Sequence, residues 1–116
     1  MSISYEGIGE WCATFGCGKV KEGDVVKVSA NGSADACGAG DSFCGVVRAI
    51  ARDGKACSVQ LGGIATVNYS GENAPIPGYG KLSADAAGGV SVDVSKGREY
   101  LILAADSTAK TVTIKL

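Results

Sequence analysis

FCGVVRAIARDGKACSVQLGGIATV, residues 43–67, is the stretch whose reading decides the fold. At its centre Asp53-Gly54 lies between two apolar runs, a strong short-range signal for a β-hairpin. A two-residue type I′ turn needs φ > 0 at both central positions, which Asp tolerates and Gly accepts freely. With the turn there, Arg52 faces Lys55, Ile50 faces Cys57, Arg48 faces Val59 and Val46 faces Leu61. Cys57, Val59 and Leu61 then share one face of the return strand, and Ala56, Ser58 and Gln60 share the other. That is the period-two alternation of a sheet with one buried face. Gly62-Gly63 interrupts the second strand, as a bulge or a sharp bend of the kind that closes barrels.

Outward from the hairpin the same pattern continues. Residues 10–15 (EWCATF) and 25–29 (VVKVS) read as strands, the second followed by an Asn31-Gly32 turn. Residues 33–40 (SADACGAG) are small and read as loop. Residues 71–80 (GENAPIPGYG) read as a crossing loop, because Pro75 and Pro77 hold the backbone extended and cannot donate to a ladder. Further strands are expected at 81–85, 90–94, 99–104 and 111–116. No stretch keeps a helical period with caps. The fold class is all-β: a small single-domain β-barrel or β-sandwich, with residues 1–20 as an N-terminal arm or edge strand and 21–116 as the barrel-like domain.

Compared with itself, the chain repeats an order of turns and strands. Residues 24–61 fall on 79–116, an offset of 55 (79 − 24). Cys57-Ser58-Val59-Gln60-Leu61 lands on Val112-Thr113-Ile114-Lys115-Leu116, and residues 43–51 land on 98–106. The match is one of pattern with few identities, so two readings stand: an internal pseudo-repeat, or coincidence in a Gly/Val-rich chain.

Composition bounds the function. The chain has 116 residues, enough for a single modest core, and its 18 glycines with only 2 prolines suit many tight turns. Lys plus Arg, 11, nearly balances Asp plus Glu, 12, so the basic excess that drives phosphate binding is missing and nucleic acid is not an expected partner. No apolar run is long enough to span a bilayer, no polybasic segment suits a membrane surface, and residues 1–12 do not read as a secretory signal. Cys12, Cys17, Cys37, Cys44 and Cys57 are odd in number, which argues for free thiols in a reducing compartment. With no C-x-x-C pair and no histidine, they read as small buried hydrophobes rather than metal ligands.

Catalytic signals are weak. Without histidine the commonest general base is absent, along with Ser-His-Asp and Cys-His arrangements. Asp24, Asp35, Asp41, Asp53, Asp85 and Asp106 fall at expected turns, where Asp side chains bond their own backbone. GCGKV (16–20) and GAGDSFCG (38–45) lack the phosphate-loop spacing and a following helix. Lys55 beside the hairpin tip resembles the placement of a lipoyl- or biotin-carrier lysine, but the Met or Asp those carriers show next to it is absent. The expectation is a protein that is not an enzyme and takes no cofactor or metal. Its interface candidates lie on the arm, at Ile3, Tyr5, Ile8 and Trp11, and on the loop at Pro75, Ile76 and Pro77.

The segments GDVV (23–26), FCGVVRAIARDGKACSVQLGG (43–63) and GYGKLSADAAGGV (78–90), with the alternating last strand, resemble a family of small all-β proteins of phages and prophages. These are the capsid decoration, or cement, proteins, long catalogued as a domain of unknown function. Val47 stands where that family usually has Ala after Gly-Val, and the family's second Gly-containing element is represented only by residues 100–104, without its Gly. The resemblance implies a structural protein on the virion surface, assembled in the bacterial cytoplasm and not secreted. It also implies that the protein binds itself, as a homotrimer, and the major capsid protein, stabilising the capsid exterior. The alternative in the same setting is a tail or baseplate accessory or a carbohydrate-binding β-module, which an exposed platform of Trp11 with Tyr5 or Tyr69 would favour.

Overall fold

A computed structural model describes residues 10–116. Those residues form ten strands and no helix: β1 (Trp11–Cys17), β2 (Val25–Ala30), β3 (Ser33–Ala36), β4 (Gly45–Ile50), β5 (Ala56–Gly62), β6 (Ile64–Ser70), β7 (Gly78–Ala84), β8 (Val90–Val92), β9 (Arg98–Asp106) and β10 (Thr111–Lys115). The all-β expectation holds, and the barrel is doubled. One closed barrel runs β1-β3-β2-β4-β5 and a second runs β10-β6-β8-β7-β9. Closure removes the free sheet edges that a chain of this size would otherwise expose.

The two barrels share one topology. In each, the first and third strands pair in parallel, Cys17 with Ala34 in one and Tyr69 with Val90 in the other, and every other pairing is antiparallel. The offset of 55 is kept residue by residue in the last hairpin of each. Val47 pairs with Val59 and Ala49 with Ser58; Ile102 pairs with Ile114 and Ala104 with Thr113. Both hairpins therefore carry a bulge at the same place, at Arg48 and at Leu103. The recurrence also reaches further upstream than residue 24, because β1 is the counterpart of β6.

Several sequence expectations are corrected. The bulge shifts the first hairpin, so Val59 faces Val47 rather than Arg48, and Val46 faces Gln60 rather than Leu61. This puts both Val47 and Val59 inside while Arg48 stays outside, 3.4 Å from Glu10. The turn is longer than a two-residue type I′. Ala51 N–H donates to the Ala56 carbonyl at 2.8 Å and Gly54 N–H to the Ala51 carbonyl at 2.9 Å. Only Gly54 takes positive φ, at 72°, and Asp53 instead accepts the Lys55 N–H at 2.9 Å. Gly62-Gly63 does more than bend a strand: β5 ends there and β6 begins in the other barrel. Residues 33–36, expected as loop, form β3, because Ala34 is small enough to fill the narrow interior, where it is wholly buried. Trp11–Cys17 is bonded on both sides, by β5 and β3, and so is a barrel strand rather than an arm. β7 begins at Gly78, inside the expected loop, and β8 stops at Val92, two residues early.

Burial explains the alternation. Inside the first barrel lie Val26, Ala34, Val47, Cys57 and Val59, with Phe15, Cys17 and Leu61 packed against them. The second interior holds Ala65, Val67 and Tyr69 of β6 with Leu82, Ile102, Val112 and Ile114. Between the barrels is a third buried layer, and it is continuous with the second interior. Val25, Phe43 and Val46 point out of the first barrel into it. Phe43 stacks on Tyr100, with ring centroids 4.6 Å apart and 6° between planes, and the Tyr100 hydroxyl donates to the Phe43 carbonyl at 2.6 Å. Ala84 exchanges two backbone bonds with residues 40 and 41, both 2.9 Å, and Val25 N–H donates to the Gly88 carbonyl at 3.0 Å. Gln60, fully buried, uses its amide N–H groups to bridge the Gly62 and Ile64 carbonyls at 3.0 Å each, tying the crossing between barrels.

Candidate docking face on the second barrel

The second barrel presents an apolar end to solvent. Ile76, Tyr79 and Val94 are 77%, 74% and 78% exposed, three of the five large hydrophobic side chains left outside among the described residues. They border one open groove of about 780 Å³, floored by Leu82 and Ile102 and rimmed by Glu72 and Lys81. Isolated exposed hydrophobes are ordinary; several on one concavity make a candidate binding surface.

Local sequence builds this face. Pro75 is buried and fixes the loop from inside, which leaves Ile76 and Pro77 on the outside. Tyr79 sits on β7, where alternation sends Tyr79 and Lys81 outward before Leu82 turns in. Val94 is held by the Asp93 carboxylate. That group accepts the Ser83 hydroxyl at 3.0 Å and the backbone N–H groups of Ser95 and Lys96 at 3.2 and 2.9 Å. The donors, with Lys96 N–H the strongest, hold the Asp93 carboxyl below the usual carboxylate range. The turn thus depends on an ionised Asp93.

A second, smaller cleft adjoins the first across Tyr79, lined by Arg98, Glu99, Tyr100, Leu101, Lys115 and Leu116. Arg98 lies over the Tyr100 ring, 4.9 Å from its centroid. Burial, more than any nearby charge, raises the Tyr100 hydroxyl above its ordinary range. It stays protonated and donates to Phe43 throughout the neutral range.

Of the interface residues expected from the sequence, Pro75, Ile76 and Pro77 come together on the groove and Trp11 does not. Trp11 begins β1 in the other barrel, 76% exposed, against the backbone at Gly62. Ile3, Tyr5 and Ile8 lie outside the described residues. Tyr69 is buried, so it forms no exposed platform with Trp11. Tyr79 and Val94 join them there: Tyr79 is one of the aromatic side chains outside the clear strands, which the sequence reads as capping the core ahead of anchoring an interface, and Val94 is not among the expected residues. The signal for Tyr79 was its place two residues after Pro77, where the loop must hand over to a strand. Val94 gave none, because its exposure follows from the Asp93 turn ending β8.

The turn aspartates serve the scaffold. Asp24, Asp41, Asp53, Asp85 and Asp106 each accept backbone N–H bonds at their own turns, while Asp35 accepts from the Ser29 hydroxyl. Asp41 also pairs with Lys27 at 2.6 Å, which lowers the carboxyl and raises the ammonium relative to their usual ranges. Burial pushes the Cys37 and Cys57 thiols up to about 11, leaving them protonated and unreactive at neutral pH. Among the described residues no three His, Cys, Asp or Glu side chains cluster as metal ligands would. No family model and no curated protein sequence matches the chain.

Proposed function

We propose that this is a non-enzymatic phage or prophage structural protein that binds and stabilises the capsid exterior through the apolar end of its second barrel. The observation that carries the docking role is the gathering of Ile76, Tyr79 and Val94, three of the five exposed large hydrophobic side chains among the described residues, around one groove. Apolar surface of this kind gains free energy when a partner removes it from water, roughly 25 cal/mol per Å² before the cost of association. The capsid partner comes from the resemblance of residues 23–26, 43–63 and 78–90 to the decoration family. In this reading the fold supplies stiffness: two closed barrels sharing a buried layer transmit load between capsid subunits without a chemical step.

The test is co-sedimentation with capsids assembled from the major capsid protein of the phage or prophage that encodes this chain. Saturable binding is expected, with a gain in the capsid's resistance to heat or denaturant. A protein that ignores those capsids at tens of micromolar would overturn the capsid reading. A second reading, a carbohydrate-contacting tail module, is favoured by the exposure of Trp11. Glycan binding lost in Trp11→Ala, with capsid binding absent, would select it.

A further inference from the structure

We infer that the groove beside β7 takes an extended peptide segment of the partner, added as a short strand to an open stretch of the β7 edge. This rests on the reading of the second barrel's exposed end as a docking surface. It goes further by naming the conformation and chemistry of the occupant.

The inference follows from which residues of β7 are paired. On one side β9 pairs with β7 from Gly78 to Leu82. On the other side β8 pairs only with Leu82, Ser83 and Ala84. β8 stops at Val92, and Asp93 then makes a last ladder bond, from its N–H to the Lys81 carbonyl at 3.0 Å, before the chain turns. The main-chain groups of a strand point to its two sides at alternate residues. Ala84 fixes the phase, because its N–H and carbonyl go to residues 41 and 40 and not to β8. Tyr79 therefore points its N–H and carbonyl the same way as Lys81, to the side that β8 has left. Neither group has a main-chain partner on that side among the described residues. An uncovered edge of this kind is a template for another strand.

The groove lies along that edge. It is lined by β7 from Tyr79 to Lys81, by residues 72–77, and by Val92 and Val94 where β8 gives way to its turn. A strand added there continues the line of β8, with every second side chain directed to the apolar floor at Leu82 and Ile102. Charge narrows the occupant further. Lys81 and Glu72 both line the groove, and the two salt bridges among the described residues lie elsewhere. The segment that fits is extended, apolar at alternate positions, and carries an acidic residue for Lys81 and a basic one for Glu72. In this mode main-chain bonds supply affinity and the alternate side chains supply selectivity.

The test is selection of short random peptides by display against the full-length chain, followed by titration of the synthetic binders. Enriched sequences should alternate apolar and polar residues and include an acidic one. Two copies of a binder, N-methylated at alternate sets of amides, should differ: the set that faces β7 should lose about tenfold or more in affinity, and the other should bind as the parent does. Lys81→Glu, at an exposed position, should melt with the parent, weaken the acidic peptide and bind a copy whose acid is replaced by lysine. Amide exchange followed by NMR should show the Tyr79 N–H newly protected in the complex. The inference is overturned by a selection that yields no binder, by methylated copies that both bind as the parent does, or by a Tyr79 amide that exchanges as before. It also falls if the chain associates with itself and no peptide competes, since a second copy then holds the edge. Capsid co-sedimentation separates the two readings. Capsid binding with no peptide selected sinks only the strand pairing, and peptide pairing at Tyr79 without capsid binding sinks only the capsid reading.

Discussion

Phe43 and Tyr100 are the residues on which the join between barrels depends. Phe43 is 1% exposed, stacked on a ring from the other barrel, and its carbonyl accepts a hydrogen bond from that ring's hydroxyl. Phe43→Ala removes the stack and leaves a cavity in a layer shared by both barrels, a loss of about 3–5 kcal/mol by denaturant titration. Tyr100→Phe keeps the stack and orphans one buried carbonyl, costing about 1–2 kcal/mol in the same assay. Among the thiols, Cys12 is exposed while Cys37 and Cys57 are buried with their ionisation pushed up to about 11. Iodoacetamide at neutral pH should therefore label Cys12 in the native protein and reach Cys37 and Cys57 only on unfolding. Mass spectrometry of the digested protein reads this directly; native labelling at Cys57 would contradict the burial.

At the scale of elements, hairpins and turns carry both the fold and the site. The alternation of Cys57, Val59 and Leu61, and of Val112 and Ile114, was legible because a strand with one buried face must place apolar residues two apart. The bulge at Arg48 was not, since one extra residue leaves no mark on composition and is decided by which side chains can reach the interior. β3 was missed because its signal is the smallness of Ala34, which reads as loop until the barrel around it is known. The Pro75–Pro77 loop was legible as a break and became half of the groove. Its other half, at Val94, depends on the Asp93 turn. Asp93 and Asp41 both have their ionisation lowered by the groups that bond them. Their contribution is therefore present above the ordinary carboxylate range and is lost as pH falls through their depressed values, below about 4. Thermal melts should show stability falling between pH 5 and pH 2, and Asp93→Asn should flatten part of that slope while lowering the melting temperature at neutral pH.

For the whole molecule, two barrels of one topology fused through a buried layer make a single cooperative body. Val25, Phe43 and Val46 belong to the first barrel's strands and segments yet pack with the second barrel's interior. Neither half would keep its apolar surface covered alone. Heat and denaturant should unfold the chain in one transition, with fluorescence and circular dichroism coincident; two separated transitions would mean that the shared layer is weaker than its burial implies. The pseudo-repeat was legible in the sequence as an offset of 55. What it could not reveal was that the halves close separately, because closure depends on the β5–β6 crossing at Gly62-Gly63 and on Gln60 bridging it. The exposed end of the second barrel is then the apolar surface left open to solvent. Amide hydrogen exchange of the chain, free and bound to capsids, tests the docking claim most directly. The expected result is new protection concentrated in residues 72–82 and 92–97, around Ile76, Tyr79 and Val94. Capsid binding with those residues exchanging as fast as in the free protein would contradict it.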